Sequence, residues 1–251
     1  MENENQYILQ SVDNTLSIVE LLCNYEELSL IEITSLTDYG KSSVYRMIAT
    51  LEKHKLVAKT KDGKYRLGYR FASIGAVVTG RMELVEKAHG YLQELSAKTN
   101  ETTHLAIMAD DTKVQFIDKV RGDSSIWMES TIGMTREAHL TGTGKALLAF
   151  SDDKFIEKYI ANISFKHMTE HSIKDAKALA GELEKVRKDG YACDLEESEE
   201  GLVCFAAPIF DFKGKAVAAI SVSGFKGRML SRREELVGLV KQTAGTISAD
   251  I

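Results

Sequence analysis

The sequence predicts an α+β protein: a small helical head ending in a basic hairpin, a linker helix, and a larger domain that sets helices on antiparallel strands. Three observations predict it. Apolar residues recur at helical spacing through the first fifty positions, hairpin signals appear near residue 60 and again beyond residue 100, and positive charge is concentrated in one short segment. The expected boundaries are residues 1–70 for the head, 71–80 for the linker and 81–251 for the second domain.

The head is read from four stretches. "SVDNTLSIVELLCNYEE" carries Val12, Leu16, Ile18, Val19 and Leu22 along an amphipathic helix over about residues 11–25. "SLIEITSLT" places Leu30, Ile33 and Leu36 on a shorter helix, with Ser29 and Glu32 at the spacing of a capping box. After the tight connection "DYG", Val44, Met47, Ile48 and Leu51 fall at i, i+3, i+4 and i+7 of a third helix, leaving Lys41, Ser43, Arg46 and Thr50 on the side away from the core. A short helix, a tight turn and a second amphipathic helix make a helix-turn-helix. "AKT" and "KYRLG", joined through Asp62-Gly63, then read as a hairpin, which in this position is a wing.

The formal net charge is −5, but it is unevenly spread. Residues 1–39 hold eight acids and no Lys or Arg, whereas residues 40–70 hold nine Lys/Arg against Glu52 and Asp62. A solvated basic face gives the same count, and a three-helix unit with a hairpin also suits a protein-interaction module. The coincidence of this fold pattern with this charge favours double-stranded DNA. Lys41, Ser42 and Ser43 stand at a helix start, suited to phosphate contacts through side chains and backbone N–H groups. Arg46 can read a guanine edge or contact phosphate, and Tyr45 can meet a base or sugar. Lys59, Lys61, Lys64 and Arg66 on the hairpin can flank the phosphate backbone, and binding to such a head is salt-dependent.

Other classes are disfavoured. No apolar run approaches the roughly 18 residues of a membrane span, and "MENENQYILQ" has neither a basic flank nor an apolar segment, so no membrane partner and a cytoplasmic location are expected. Cys23, Cys193 and Cys204 are odd in number and lack CxxC spacing, against a disulfide framework or a cysteine-rich zinc site. His167 and His171 stand at i, i+4 without the order of a zincin helix. No metal or cofactor is expected.

In the second domain, "THLAIMA" and "VQFIDKV" flank "DDTK" as a hairpin, "SIWMEST" reads as a third strand, and "VCFAAPIFD" and "AVAAISVSG" form a second hairpin around "FKGK". "DKFIEKYIA", "KDAKALAGELEKVRKDG" and residues 231–250 read as helices, as does "GKALLAF" from about Lys145. Gly75 and Gly80 interrupt the helical pattern of residues 71–99, with a new helix from about Met82.

Three features could bind or react. Gly142, Thr143 and Gly144 precede a helix and can seat an anion on backbone N–H groups, or be an ordinary glycine turn. A Walker A loop is excluded by His139 and Ala146. Asp194 and Cys204 lie either side of the acidic loop "EESEE", itself a solvated loop or a metal site. Ser221 and Ser223 share one face of a strand, towards a cavity or towards solvent. An enzyme using Cys204 as nucleophile with His104 or His139 as base has no local signature in its favour, so no enzyme activity is expected.

"SLIEITSLT", "KSSVYRMIATLEKHKLV" and "YRLG" together resemble the N-terminal domain of IclR-type (isocitrate lyase regulator) bacterial transcription regulators. "NETTHLAIM", "TGTGKALLAF", "GYACDLEESEEGLVCFAAPIFD" and "AISVSG" resemble the effector-binding domain of the same family, in the same order. Many members carry proline where this chain has Gly40. The resemblance implies a winged helix-turn-helix head, a GAF-like effector domain, and a homodimer or tetramer on a palindromic operator. It also implies a ligand-responsive regulator, a repressor of a catabolic operon, with a small carboxylate or sugar acid as effector. Carried over by position, the anion seat is Gly142 and Thr143; polar contacts are Asp194, Cys204, Ser221 and Ser223; walls are Met128 and Leu202, with Trp127 nearby. "KTNETTHLAIM" and "EESEEGLVC" are most similar to the keto-deoxygluconate-responsive subgroup.

Overall fold

The computed structural model describes residues 8–79, 83–123 and 130–251. The chain divides into two compact units, Met1–Arg81 and Met82–Ile251. In the first, α1 (Gln10–Cys23), α2 (Leu30–Ser35) and α3 (Lys41–Lys53) precede a hairpin of β1 (Val57–Lys59) and β2 (Tyr65–Leu67), followed by α4 (Arg70–Thr79). Ile18, Leu22, Ile33, Val44, Ile48, Leu51, Val57 and Tyr65 form its core. The predicted stripes pack in part: Ile18, Leu22, Ile33, Val44, Ile48 and Leu51 are buried and their burial drives the unit together, whereas Val12, Leu16 and Leu36, expected on the same stripes, are exposed. The wing is tied back to the helices by Leu28, whose N–H donates to the Tyr65 carbonyl at 2.9 Å and whose carbonyl accepts from the Tyr65 N–H at 2.7 Å. Gly75 does not interrupt α4: a glycine lowers helix propensity by about 1 kcal/mol and is tolerated within a turn-forming run.

The second unit contains α5 (Glu83–Thr99), β3 (Thr102–Met108), β4 (Lys113–Val120), β5 (Thr135–Glu137), a single 3-10 turn (Ala138–Leu140), α6 (Gly142–Ala149), α7 (Asp153–Asn162), α8 (Ala176–Asp189), β6 (Ala192–Leu195), β7 (Leu202–Phe210), β8 (Ala216–Phe225), α9 (Lys226–Ser231) and α10 (Arg233–Asp250). The strands form one antiparallel sheet in the order β5-β4-β3-β8-β7-β6. Alternation along β7 sends Val203, Phe205, Ala207 and Ile209 into a core with α5 and α10. The intervening Cys204 and Ala206 face a second core with α6, α7 and α8.

One expected helix start differs from the structure, and two short elements, β5 and α9, have no counterpart in the sequence reading. The expected "SIWMEST" strand lies outside the described residues up to Glu129, and β4 pairs with the three-residue β5, which is too short to show alternation. The terminal helix expected over residues 231–250 is α10, and α9 is a separate short helix before it. Helix α6 begins at Gly142, three residues earlier than expected, because Thr141 caps it: the Thr141 hydroxyl accepts the Gly144 N–H at 3.0 Å.

The early start of α6 depends on its glycines. A Cβ at Gly144 would lie 2.2 Å from the Ala138 carbonyl oxygen, and one at Gly142 would lie 3.1 Å from Cys204 Sγ. Gly144→Ala is expected to lower the unfolding free energy by about 1–3 kcal/mol through backbone overpacking, read as a lower denaturation midpoint. Gly181→Ala in α8, where the added methyl meets nothing within 4 Å, serves as the stable control.

Candidate DNA-reading head and effector cavity

Helix α3 has one buried and one exposed side. Val44, Ile48 and Leu51 are buried, whereas Lys41, Ser42, Ser43, Tyr45, Arg46 and Thr50 are all exposed. Two helices of this head begin differently. At α2 the Ser29 hydroxyl accepts the Glu32 N–H, and the Glu32 carboxylate accepts the Ser29 N–H at 2.7 Å, which holds Glu32 below the usual carboxylate range. At α3 the N-cap is Gly40, with no side-chain hydrogen bond and no acid in the first turn. The first N–H groups of α3 thus remain available to an anion, where the helix dipole favours negative charge.

The cations around α3 are not equivalent. Among the described residues, no carboxylate pairs with Lys41, Arg46 or Lys61. Lys64 Nζ, by contrast, lies 3.0 Å from Glu27 Oε1, which raises its pKa and commits it to the head itself. Arg66 is exposed, with its guanidinium 5.8 Å from the Tyr69 ring centroid. The Thr50 hydroxyl donates to the Arg46 carbonyl at 2.8 Å, so α3 already uses its proton.

In the second unit, the end of α6 meets the middle of the sheet at a small cavity of about 20 Å³, room for about one water. Thr141, Gly142 and Thr143 form one wall, Ser221, Ser223 and Phe116 another. Asp194, Ser198 and Cys204 close a third side, and Arg136 also borders it. Thr143 Oγ1 is buried and has no hydrogen-bond partner among the described residues. Asp194 is differently placed: Oδ1 accepts the Glu197 N–H at 2.7 Å and Oδ2 accepts the Ser198 hydroxyl at 2.5 Å, while burial pushes its pKa up. It holds the acidic loop as well as facing the cavity.

One turn into α6, Lys145 is fully buried, 2.5 Å from Glu197 and 3.6 Å from Glu182. Burial raises Glu197 to about 7 despite that ammonium. Cys204 is pushed up to about 12, chiefly by burial, and the two buried histidines are engaged elsewhere. His104 Nε2 is 2.7 Å from the Ser130 hydroxyl, and His139 Nδ1 is 2.7 Å from the Tyr159 hydroxyl. A thiol so rarely ionised, with neither histidine bonded to it, is not an activated nucleophile.

Residues 76–249 match the family described as bacterial transcriptional regulator IclR C-terminal, and residues 11–61 match the IclR helix-turn-helix domain. The chain belongs to the IclR family. Among its relatives, the Escherichia coli K12 regulator XynR is 32% identical over 224 residues, covering 88% of each chain. The KdgR regulator of the same organism is 32% identical over 245 residues, covering 97% of this chain and 93% of its own. The crystal structure of the Thermotoga maritima IclR superposes with a TM-score of 0.79 at 33% identity, covering 96% of this chain and 98% of that one. This IclR-family protein is accordingly a DNA-binding transcription regulator and not an enzyme.

The structure brings Gly142, Thr143, Asp194, Cys204, Ser221 and Ser223 to one cavity. Leu202 lies on the same face of β7, two residues from Cys204 and outside the lining; Met128, like Trp127, falls outside the described residues. Sequence reasoning missed Phe116, Arg136, Thr141 and Ser198. Thr141 could have been found as a helix N-cap and Phe116 from its alternation with Val114, whereas a three-residue strand gives Arg136 no periodic signal.

Two stability measurements follow from these buried groups. Thr143→Val removes a hydroxyl that bonds nothing, so the unfolding free energy should stay level or rise by up to about 1 kcal/mol. Thr99→Val, which removes a hydroxyl donating to the Leu95 carbonyl and accepting from the Glu101 N–H, should lower it by about 1–3 kcal/mol.

Burial lowers His104 to about 3 and His139 to about 4, with Lys119 and Lys145 respectively as secondary causes. Both histidines take up a proton on unfolding below about pH 6.5, while Glu197 releases one above about pH 4.5. Across pH 6.5–4.5 the two histidines therefore make stability fall on acidification, opposed by Glu197 and by Asp194, whose pKa burial also raises. Denaturant midpoints across that range test this, and His139→Gln should flatten the slope.

Proposed function

We propose that the protein is a ligand-responsive repressor of a catabolic operon, acting in the cytoplasm as a homodimer or tetramer on a palindromic operator. The reading is carried by the exposed, unpaired cations at the uncapped start of α3. Lys41, Ser42 and Ser43 hold the backbone phosphate, with the α3 N–H groups behind them; Arg46 reads a base edge in the major groove, beside Tyr45; Lys61 and Arg66 on the wing reach flanking phosphates. Two such heads match the two half-sites of a palindrome.

The effector is a small carboxylate, with a sugar acid the better fit. Its carboxylate sits against the first N–H groups of α6 and the Thr143 hydroxyl, and its hydroxyls meet Ser221, Ser223 and the Asp194 carboxyl. The orphaned Thr143 hydroxyl supports this, since a buried polar atom without a partner is rare in a satisfied core. A cavity of about 20 Å³ is far below the roughly 300 Å³ of a small-molecule site, so the effector stabilises a wider arrangement. DNA affinity changes to the extent that the two arrangements bind operator differently.

A salt-titrated binding assay with fragments of the source genome tests the first half. The wild type should retain a specific fragment, Arg46→Ala should weaken it about tenfold or more, and Lys61→Ala should lower the salt slope by about one. Unaltered specific affinity in Arg46→Ala removes α3 from base reading. A thermal-shift screen of carboxylic and sugar acids tests the second half, with Ser221→Ala and Thr143→Val expected to abolish the response to any hit.

A further inference from the structure

The cavity beside α6 contains a charge that its other walls do not. Arg136 is, among the described residues that line it, the one basic side chain and the one exposed side chain; Phe116, Thr143, Cys204, Ser221 and Ser223 are buried. Lys145, the nearest alternative cation on α6, is held by Glu197 and Glu182 inside the fold. No ion pair or hydrogen bond engages the Arg136 guanidinium among the described residues. It stands on β5, at the edge of the sheet, paired with Val114 of β4 alone.

The same short stretch of chain carries both anion-attracting groups. Arg136 precedes Gly142 by six residues, with the 3-10 turn Ala138–Leu140 between them. The buried end of the cavity offers the α6 N–H groups and the unpartnered Thr143 hydroxyl; the exposed end offers a guanidinium fork. These are two groups that attract negative charge, one buried and one exposed, on the rim of a cavity also lined by Ser221 and Ser223. One carboxylate can use only one of them fully: an anion at the buried end is enclosed by Thr143, Ser221 and Ser223, whereas the fork pairs best with a group that remains near solvent.

We infer that the effector is a dicarboxylate, a hydroxylated acid with an anionic group at each end, and that Arg136 is the residue that selects it over the corresponding monoacid. This rests on the acid-binding reading of the cavity and sharpens the ligand class. The outer carboxylate accepts two parallel N–H bonds from Arg136, and the inner one takes the α6 seat. Arg136 also supplies the means of entry, because an edge strand with one neighbour is the least constrained wall of the cavity.

The test compares acids that differ only at the far end: malate with 3-hydroxybutyrate, glucarate with gluconate, and galactarate with galactonate. Affinities for the full-length protein are read by calorimetry and by thermal shift. In at least one pair the diacid should bind about ten- to hundredfold more tightly, as expected for charge-assisted hydrogen bonds. Arg136→Gln should collapse that ratio to near one, and Arg136→Lys, which keeps the charge without the fork, should recover part of it. The inference is overturned if monoacids bind as well as diacids in every pair, or if a diacid preference survives in Arg136→Gln. Should monoacids bind as tightly as diacids and lose their response in Thr143→Val, the acid-binding reading stands while the assignment to Arg136 falls. If no acid of either kind binds the wild type, both fall together.

Discussion

The approach of α6 to the sheet is the constraint on which the effector domain depends. Gly144 sits against the Ala138 carbonyl at a separation that leaves no place for a Cβ, and Gly142 packs tightly against Cys204 and Ala206. That contact aims the first turn of the helix at the sheet centre rather than at solvent. It also carries Lys145 into the interior, where an ammonium is tolerated only because Glu197 and Glu182 surround it. Glu197 in turn belongs to the loop held by Asp194, so the ion cluster and the cavity wall share one support. The neutral state of His139 follows from the same packing, since burial and the nearby Lys145 both disfavour its protonation.

Both units use a helix start in which part of the backbone N–H capacity is left over, but in opposite settings. Helix α3 begins at an exposed glycine cap with basic and hydroxyl side chains around it, which suits a phosphate that arrives with its own counterions to release. Helix α6 begins inside the domain, capped at Gly144 by Thr141 yet flanked by the unpartnered Thr143 hydroxyl. A desolvated seat of this kind favours a compact carboxylate able to shed its water. On the proposed reading the chemistry of the two sites is alike, and exposure separates a polyanion from a metabolite. Helix α2 shows the contrast, for its Ser29–Glu32 box uses part of that capacity internally and sets a carboxylate at the helix start.

The head was legible because its code is local. Val44, Ile48 and Leu51 repeat at helical spacing, Asp62-Gly63 marks the turn, and the capping box at Ser29 is four residues long. In the second unit the long strands were equally clear, and Ser221 and Ser223 could be placed on one face from alternation alone. What stayed hidden depends on contacts distant in sequence. The burial of Lys145 is decided by a loop 52 residues away, and nothing in "TGTGKALLAF" distinguishes it from a surface lysine. Lys64 reads as a wing cation until Glu27 is brought beside it. Arg136 lies on a strand of three residues, and its place at the cavity comes from pairing with β4.

A closed cavity sets a requirement on any switch. A ligand moves an equilibrium only through the difference between its affinities for the two states, and carrying a population from 1:99 to 99:1 takes about 5.5 kcal/mol of that difference. The arrangement described, with about 20 Å³ to offer, would give the proposed acid almost no contacts, so nearly all of its binding free energy would be differential. Hydrogen bonds to a charged group contribute about 1.5–3 kcal/mol each. Two or three of them, at the α6 N–H groups and Thr143, reach the required range before any hydroxyl is counted. The small size of the cavity is therefore what would make such a sensor decisive: a preformed pocket of the same lining would bind its acid more tightly and move the equilibrium less.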